Sequence, residues 1–340
     1  MKISIGYKVF EKPWGGGNQF VRSLIMSLKT KGFDVINHLN DNDIDIILII
    51  DPRSNHPNVT FTPAAIIRYL LFKNSNAIVI HRINECDQRK NTKTMNFRLR
   101  IANFCSDHTV LVGSWLKKLN VIDHKNIKNI TVIKNGSNKE IFNSDGYIPW
   151  QSNKIFKFVT HHWSGNWMKG FDIYKKLDMM LGNRFWKDKV QFTYIGNIPK
   201  NFHFQNTRHV KPLNEIGLAR ELKNHHGYLT ASINEPGGNH QNEGALCGLP
   251  LLYRDSGCLP EYCKGYGIAF NFDNFEKKIS EFIEVYPTLK NKMKNYPHTN
   301  EKTNKMYFNL FEKLEADKFK IKKDRDLLSS PLKILINHIV

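Results

Sequence analysis

Glu235 and Glu243 stand eight positions apart in the segment Glu235-Pro-Gly-Gly-Asn-His-Gln-Asn-Glu243, which continues as Gly244-Ala-Leu-Cys-Gly-Leu-Pro250. The first carboxylate falls in a glycine-rich loop and the second in the opening turn of an expected helix. Immediately before them, the apolar run Tyr228–Ser232 reads as a short buried strand. A strand, a glycine loop and a helix start leave backbone N–H groups facing outward, ready for an anion. A carboxylate on each side can accept hydrogen bonds from hydroxyls. Phosphate and polyol joined in one molecule, as in a nucleotide sugar, suit both features.

A second segment, Thr160-His-His-Trp-Ser-Gly-Asn-Trp-Met-Lys-Gly170, leads from a strand into a helix and carries Lys169 in the connecting loop. A cation there can stabilise negative charge growing on a leaving group; the plain alternative is a solvated loop lysine. Gly15, Gly16 and Gly17, within the loop Pro13–Asn18 after the first strand, allow close backbone approach to a phosphate or merely a tight turn. His81-Arg-Ile-Asn-Glu85 closes a strand, the edge from which ligand-facing groups emerge in open α/β sheets. His81 is then a site residue or a histidine satisfied against backbone, and Arg82 and Asn84 could meet acceptor hydroxyls or an acidic acceptor group. Asp43 and Asp45 have the spacing of a metal-binding Asp-x-Asp pair. They open a buried strand, however, and no metal and no cofactor is expected.

Strands and helices must alternate to position these residues. Strand patterns fall at Ile3–Tyr7, Asp43–Ile50, Ala77–Ile83, His108–Gly113 and Thr131–Lys134. Between them come a helix with the stripe Phe20, Leu24, Ile25, Leu28, another opened by Thr62-Pro63, a third over Thr92–Phe104 and a fourth begun by Ser114-Trp115. After a polar stretch at Tyr147–Asn153 the alternation resumes, with strands at Lys157–His162, Val190–Gly196, Tyr228–Ser232 and Leu249–Tyr253 and helices from Phe171, Asn214 and Gln241. Repeated β-α alternation implies parallel sheets covered on both faces. The chain divides into 1–150, an N-terminal Rossmann-like domain; 151–315, a C-terminal Rossmann-like domain; and 316–340, a basic tail after a helix carrying Met306, Phe308, Leu310 and Leu314.

The totals are consistent with two ordinary domains: 340 residues, 41% hydrophobic and 12% aromatic. Five irregularly spaced cysteines (86, 105, 247, 258, 263) form neither a disulfide framework nor a zinc site and read as reduced thiols. The N-terminus reads as a strand rather than a signal peptide, and no window approaches the ~20 apolar residues of a membrane span. The net charge of +19 is spread along the chain: residues 1–150 hold 21 basic and 12 acidic residues, +9, leaving +10 for the rest. Even spread, in a chain rich in Lys, Asn and Ile, points to composition before a dedicated patch.

Extending the first segment through Asp255-Ser-Gly-Cys-Leu-Pro-Glu261 and Tyr266-Gly-Ile268, the sequence resembles family 4 retaining glycosyltransferases of the GT-B fold. In these an E-x7-E motif precedes a C-G-x-P strand and a G-x-x-P-E turn. Val132-Ile-Lys-Asn-Gly-Ser137 with Phe142, and Ser106-Asp107 through Ser114-Trp115, resemble the end of that family's first domain. The resemblance spans residues 1–315, densest over 157–270 and weakest over 31–75. It implies two doubly wound domains facing an interdomain cleft, 1–150 on the acceptor side and 151–315 for the nucleotide-sugar donor. It also implies that Glu243 accepts from the donor ribose hydroxyls and that Glu235 lies beside the transferred sugar. Backbone amides of Gly238, Asn239 and His240 would hold sugar and diphosphate, Gly16 and Gly17 would approach the donor phosphates, Lys169 would bind the diphosphate, and His81 would lie near the reacting sugar. One departure stands out: the family carries Arg six residues before its lysine, and here that position is Trp163. His161 and His162 are the nearest replacements.

The expected activity is therefore metal-independent transfer of a hexosyl-type group from a nucleotide diphosphate sugar to an acceptor hydroxyl, with retention, in glycan, glycoconjugate or glycolipid synthesis. The expected location is the cytoplasm, with peripheral contact to the inner face of a membrane through the basic 318–325 and apolar 332–340 segments as a variant. The rival readings are a nucleic-acid-binding or nucleic-acid-glycosylating protein, suggested by charge and opposed by the lack of a nucleic-acid-binding motif, and a non-catalytic relic of the fold, suggested by Trp163.

Overall fold

The computed structural model describes residues 1–11 and 15–339, so Pro13 and Trp14 of the first glycine loop lie outside the described residues. The chain forms two compact units, one of residues 1–134 with 301–340 and one of residues 135–300.

The first unit begins with β1 (Lys2–Ile5), α1 (Gly16–Thr30), β2 (Asp34–Ile36), β3 (Ile46–Ile49), α2 (Pro63–Phe72), β4 (Ile78–Ile83), α3 (Asp87–Lys90), α4 (Met95–Asn103), β5 (His108–Leu111) and β6 (Ile130–Val132). The strands make one parallel sheet in the order β2-β1-β3-β4-β5-β6. Alternation of side chains along each strand divides the core: Ile46, Leu48, Ile78 and Ile80 join α1 on one face, whereas Ile47, Ile49 and Val79 join α2 on the other. Thr62 caps α2 as its sequence predicts, its Oγ1 accepting from the Ala65 amide at 3.3 Å, with Pro63 at the first helical position. The helix expected over Thr92–Phe104 spans Met95–Asn103, and the one expected from Ser114 is a single 3₁₀ stretch, Ser114–Lys118.

The second unit contains β7 (Phe156–His162), a 3₁₀ turn Trp167–Lys169, α5 (Phe171–Met180), α6 (Arg184–Lys187), β8 (Val190–Gly196), β9 (Arg208–Val210), α7 (Glu215–Leu222), β10 (Gly227–Thr230), α8 (His240–Leu246), β11 (Leu251–Arg254), α9 (Leu259–Cys263), β12 (Gly267–Phe270) and α10 (Phe275–Lys292). Its parallel sheet runs β12-β11-β10-β7-β8-β9. The strand order reverses between β7 and β10, and the crevice at the carboxyl ends of such strands is where open α/β sheets bind ligands. An aromatic core fills the unit, with Phe156, Phe158, Phe171, Tyr174, Phe192 and Phe282 fully or almost fully buried.

The chain then returns to the first unit through α11 (Asn300–Ala316), α12 (Lys318–Asp324) and α13 (Pro331–Ile339). Tyr307, Leu310, Phe311 and Leu314 of α11 complete the core beside β1, β3 and β4. These boundaries differ from the expected division. Residues 135–150 stay with the second unit, since the Asn135 amide donates to the Tyr262 hydroxyl at 2.7 Å and the Trp150 amide to the Tyr286 hydroxyl at 3.0 Å. The basic 316–340 segment is docked rather than trailing: Arg325 makes a two-pronged contact with Asp107 at 2.8 and 2.6 Å, and Lys333 reaches Asp123 at 2.6 Å. Polar residues that mimic a linker and a tail in sequence are spent on such partners. Among the described residues no helix is long and apolar enough to cross a membrane. Both units are doubly wound parallel α/β layers, as the alternating pattern predicts.

Candidate functional site

Lys169 and Glu235 meet at the β7–β10 crevice. Lys169 ends the 3₁₀ turn after β7; Glu235 lies in the loop after β10; and Nζ donates to Oε2 at 2.6 Å with both side chains buried. Three local constraints fix the pair. The Ile233 amide donates to the Met168 carbonyl at 2.8 Å, lacing the two loops together. Gly170 follows Lys169 with φ of +99°, and a Cβ there would sit 2.4 Å from the Ala231 Cβ, so only glycine fits. The Cys258 amide donates to the Glu235 carbonyl at 2.9 Å, while Gly257 approaches so closely that a Cβ would lie 2.5 Å from the Glu235 nitrogen.

Glu243, on the first turn of α8, is paired as well. Its Oε2 lies 2.6 Å from His161 Nε2, and His161 Nδ1 is 3.0 Å from the Tyr228 hydroxyl. A carboxylate can only accept, so the His161 Nε2 carries the proton of this contact. Burial pushes the Tyr228 phenol well above its ordinary range and keeps it neutral. The packing that brings α8 onto β10 depends on Gly244, where a Cβ would fall 2.2 Å from the Tyr228 ring. Next to this chain, His162 Nε2 contacts the Tyr174 hydroxyl at 2.8 Å and His240 Nε2 the Thr230 hydroxyl at 2.8 Å, with the two imidazoles 4.6 Å apart edge to face.

The loop before α8 is held from below. Asn135 Nδ2 donates to the Gly237 carbonyl at 2.6 Å, and Gln241 Nε2 to the Gly238 carbonyl at 2.6 Å. Three buried side-chain oxygens in this region, Ser232 Oγ, Asn239 Oδ1 and Gln241 Oε1, have no hydrogen-bond partner among the described residues. Buried polar atoms are ordinarily satisfied, so such a group marks a place where a ligand can supply the missing contact.

The structure thus brings together Lys169, Glu235, Gly238, Asn239, His240 and Glu243 in one unit. Sequence reasoning missed Tyr228 and Asn135 as supports and named His161 only as a replacement cation. Its position at the carboxyl end of a strand was the available signal. Trp163 is 52% exposed and turns to solvent, its carbonyl accepting from Asn197 Nδ2 at 2.6 Å.

The remaining candidates belong to the first unit. His81 and Arg82, adjacent on β4, point to opposite faces of the sheet. His81 is fully buried, with Nδ1 3.4 Å from Asn103 Nδ2, inside a polar cluster with Ser106 and Thr109, and burial lowers its pKa to about 3. Arg82 is buried on the α1 side with its guanidinium 4.0 Å above the Phe20 ring. Asn84 follows β4 and is half-buried. Gly16 opens α1, and among the described residues the nearest atom to a Cβ at Gly17 would be the Tyr7 hydroxyl at 3.8 Å. Asp43 and Asp45 engage Lys2, at 2.8 Å to its Nζ and 2.7 Å to its amide respectively.

No family model matches the chain, and no curated protein matches it. Solved structures do resemble it. Sucrose-phosphate synthase from Thermosynechococcus elongatus superposes with a TM-score of 0.61 at 12% identity, covering 93% of this chain and 99% of that one. A glycosyltransferase from Rickettsia africae ESF-5 gives 0.61 at 12%, covering 92% and 98%. Anabaena HepE in complex with UDP gives 0.65 at 11%, covering 92% and 100%. At these identities the likeness concerns the fold, and that fold is GT-B.

Proposed function

We propose that this protein is a retaining glycosyltransferase of the family 4 type, moving a hexosyl group from a nucleotide diphosphate sugar to an acceptor hydroxyl without a metal ion. The observation that carries the reading is the convergence, at the strand-order reversal of one sheet, of the Lys169–Glu235 pair and the Glu243–His161 pair. In this reading a donor diphosphate takes up part of the Lys169 ammonium, and Glu235 turns its carboxylate to the hydroxyls of the transferred sugar. Glu243, held in place by His161 and Tyr228, accepts from the ribose hydroxyls. Backbone amides of Gly238, Asn239 and His240, with the oxygens of Ser232, Asn239 and Gln241, meet the remaining polar atoms of the donor.

The acceptor oxygen forms its bond to the anomeric carbon on the face from which the diphosphate departs. The C1–O(phosphate) bond breaks, and the acceptor proton passes to a leaving phosphate oxygen. Lys169 stabilises the departing charge, which in a buried setting is worth more than in water. On the first unit, Gly16 and Gly17 offer backbone to a phosphate, and Arg82 and Asn84 offer hydrogen bonds to an acceptor. His81, enclosed in its polar cluster, fits a supporting part better than contact with the sugar.

HepE is solved with UDP and with UDP-glucose, so uridine diphosphate sugars are the first donors to try. The test is a thermal-shift screen of wild type and Glu243→Ala against UDP-, GDP-, ADP- and TDP-sugars without divalent metal. A donor at ~100 times its Kd stabilises the native state by about 2.7 kcal/mol. One nucleotide should stabilise wild type clearly more than the variant, whose shift falls to about half or less. A folded wild type that none of them stabilises would remove the reading.

A further inference from the structure

Helix α13 turns its more apolar side outward. Its inner side docks through Ile334 on the core, Lys333 on Asp123 and Asn337 Nδ2 on the Ile101 carbonyl at 3.2 Å. Leu332, Leu335 and Ile339, spaced three and four residues apart and hence on one helical face, are 67%, 59% and 75% exposed, and Leu328 just before them is 67% exposed. Water-soluble surface helices are ordinarily arranged the other way.

The helices beside this stripe share a second property. α13 packs against α2 and α4. Those two carry Arg68, Arg98 and Arg100, flanked by Lys73 and Lys93, and none of the three helices contains Asp or Glu. Asp107 and Asp123 are engaged by Arg325 and Lys333, and Asp326, before α13, accepts from the Ser329 amide at 3.0 Å. Exposed Phe72 at the end of α2 and exposed Phe97 on α4 add further apolar area.

We infer that the α2–α4–α13 face of the first unit binds an anionic lipid surface, with the Leu332/Leu335/Ile339 stripe entering the headgroup boundary and the surrounding cations meeting lipid phosphates. An interfacial helix needs an apolar face together with basic flanks, and both are present. A nucleic acid would answer the cations but leave the leucines against phosphate. A second copy would cover the leucines but set identical cations against each other across a two-fold axis. This inference is independent of the donor-site reading, since it involves neither sugar nor nucleotide.

The test is co-sedimentation of the full chain with phosphatidylcholine vesicles, with and without 30% phosphatidylglycerol. Wild type should bind the anionic vesicles at least ten-fold more tightly than the neutral ones, and 0.5 M salt should weaken that binding strongly. The double substitution Leu332→Gln/Leu335→Gln, at exposed positions, should reduce it about ten-fold or more at an unchanged melting temperature. Ile339→Trp should tighten it and shift tryptophan emission to the blue. The inference is overturned by equal binding to both vesicle types, or by substitutions without effect in both directions. It is likewise overturned by a wild-type dimer in sedimentation velocity that Leu332→Gln/Leu335→Gln converts to a monomer.

Discussion

Lys169 Nζ lies 2.6 Å from Glu235 Oε2, the two residues reaching each other across 66 positions of sequence from loops that follow the paired strands β7 and β10. With the side chains 11% and 5% exposed, neither charge has enough water around it to stand alone. Removing one partner of such a pair typically costs about 3–5 kcal/mol, whereas replacing both by apolar groups of similar size is often neutral. Lys169→Ala or Glu235→Ala should therefore lower unfolding free energy by about that amount, and Lys169→Met/Glu235→Leu should return it to within about 1 kcal/mol of wild type. Urea denaturation of the three variants checks this; equal losses in single and double variants would contradict it.

Gly170 sets the direction in which Lys169 leaves its turn. Its φ of +99° and the 2.4 Å separation a Cβ would have from Ala231 combine backbone strain with overpacking against the strand exit. Gly170→Ala should cost about 2–4 kcal/mol from those two sources. The neighbouring Gly182, where a Cβ would come no closer than 3.2 Å to another atom and no left-handed φ is required, should tolerate alanine with a much smaller change in melting temperature.

His81 gives the first unit a defined pH dependence. Burial lowers its pKa from 6.5 to about 3 in the folded chain. Between those values the unfolded chain holds a proton that the folded chain does not. Stability is therefore complete above about pH 6.5, falls as pH drops, and stops falling only below about 3. The slope for one such group is about 1.4 kcal/mol per pH unit, or about 2 kcal/mol between pH 6.5 and 5. Unfolding measured at pH 7 and pH 5 should show a loss smaller by about 2 kcal/mol in His81→Gln than in wild type. Equal losses would mean that the ring is protonated or solvated in the folded state.

How far the sequence reaches is clearest around the site. The pieces that carry a local signature were legible: the buried run that becomes β10, the glycine loop after it, and the lysine-glycine pair entering α5. Each is written in a few contiguous residues. The pairing of Glu243 with His161, 82 positions away, depends on which strands lie side by side and has no local mark. Strands β2 and β9, three residues each and partly exposed, are too short for alternation to show. α10 does carry the stripe Phe275, Ile279, Phe282, Tyr286, Leu289, but Pro287 inside it and a lysine-rich outer side obscure the pattern. The boundary at 134/135 and the return at 301 are hidden for a related reason: polar residues that look like linker in sequence are bound to backbone and side chains of a folded unit.

The most direct measurement is a calorimetric titration, in EDTA, of the nucleoside diphosphate that gives the largest thermal shift, into wild type, Glu243→Ala and Lys169→Met/Glu235→Leu. Hydrogen bonds to charged groups contribute about 1.5–3 kcal/mol each, so each site lost should weaken binding by about 10–100-fold. Wild type should bind, Glu243→Ala should show a loss of that size, and so should the folded double variant, where the cation facing the diphosphate is gone. Three proteins that bind alike, or a folded wild type that binds no nucleotide, would contradict the donor-site reading.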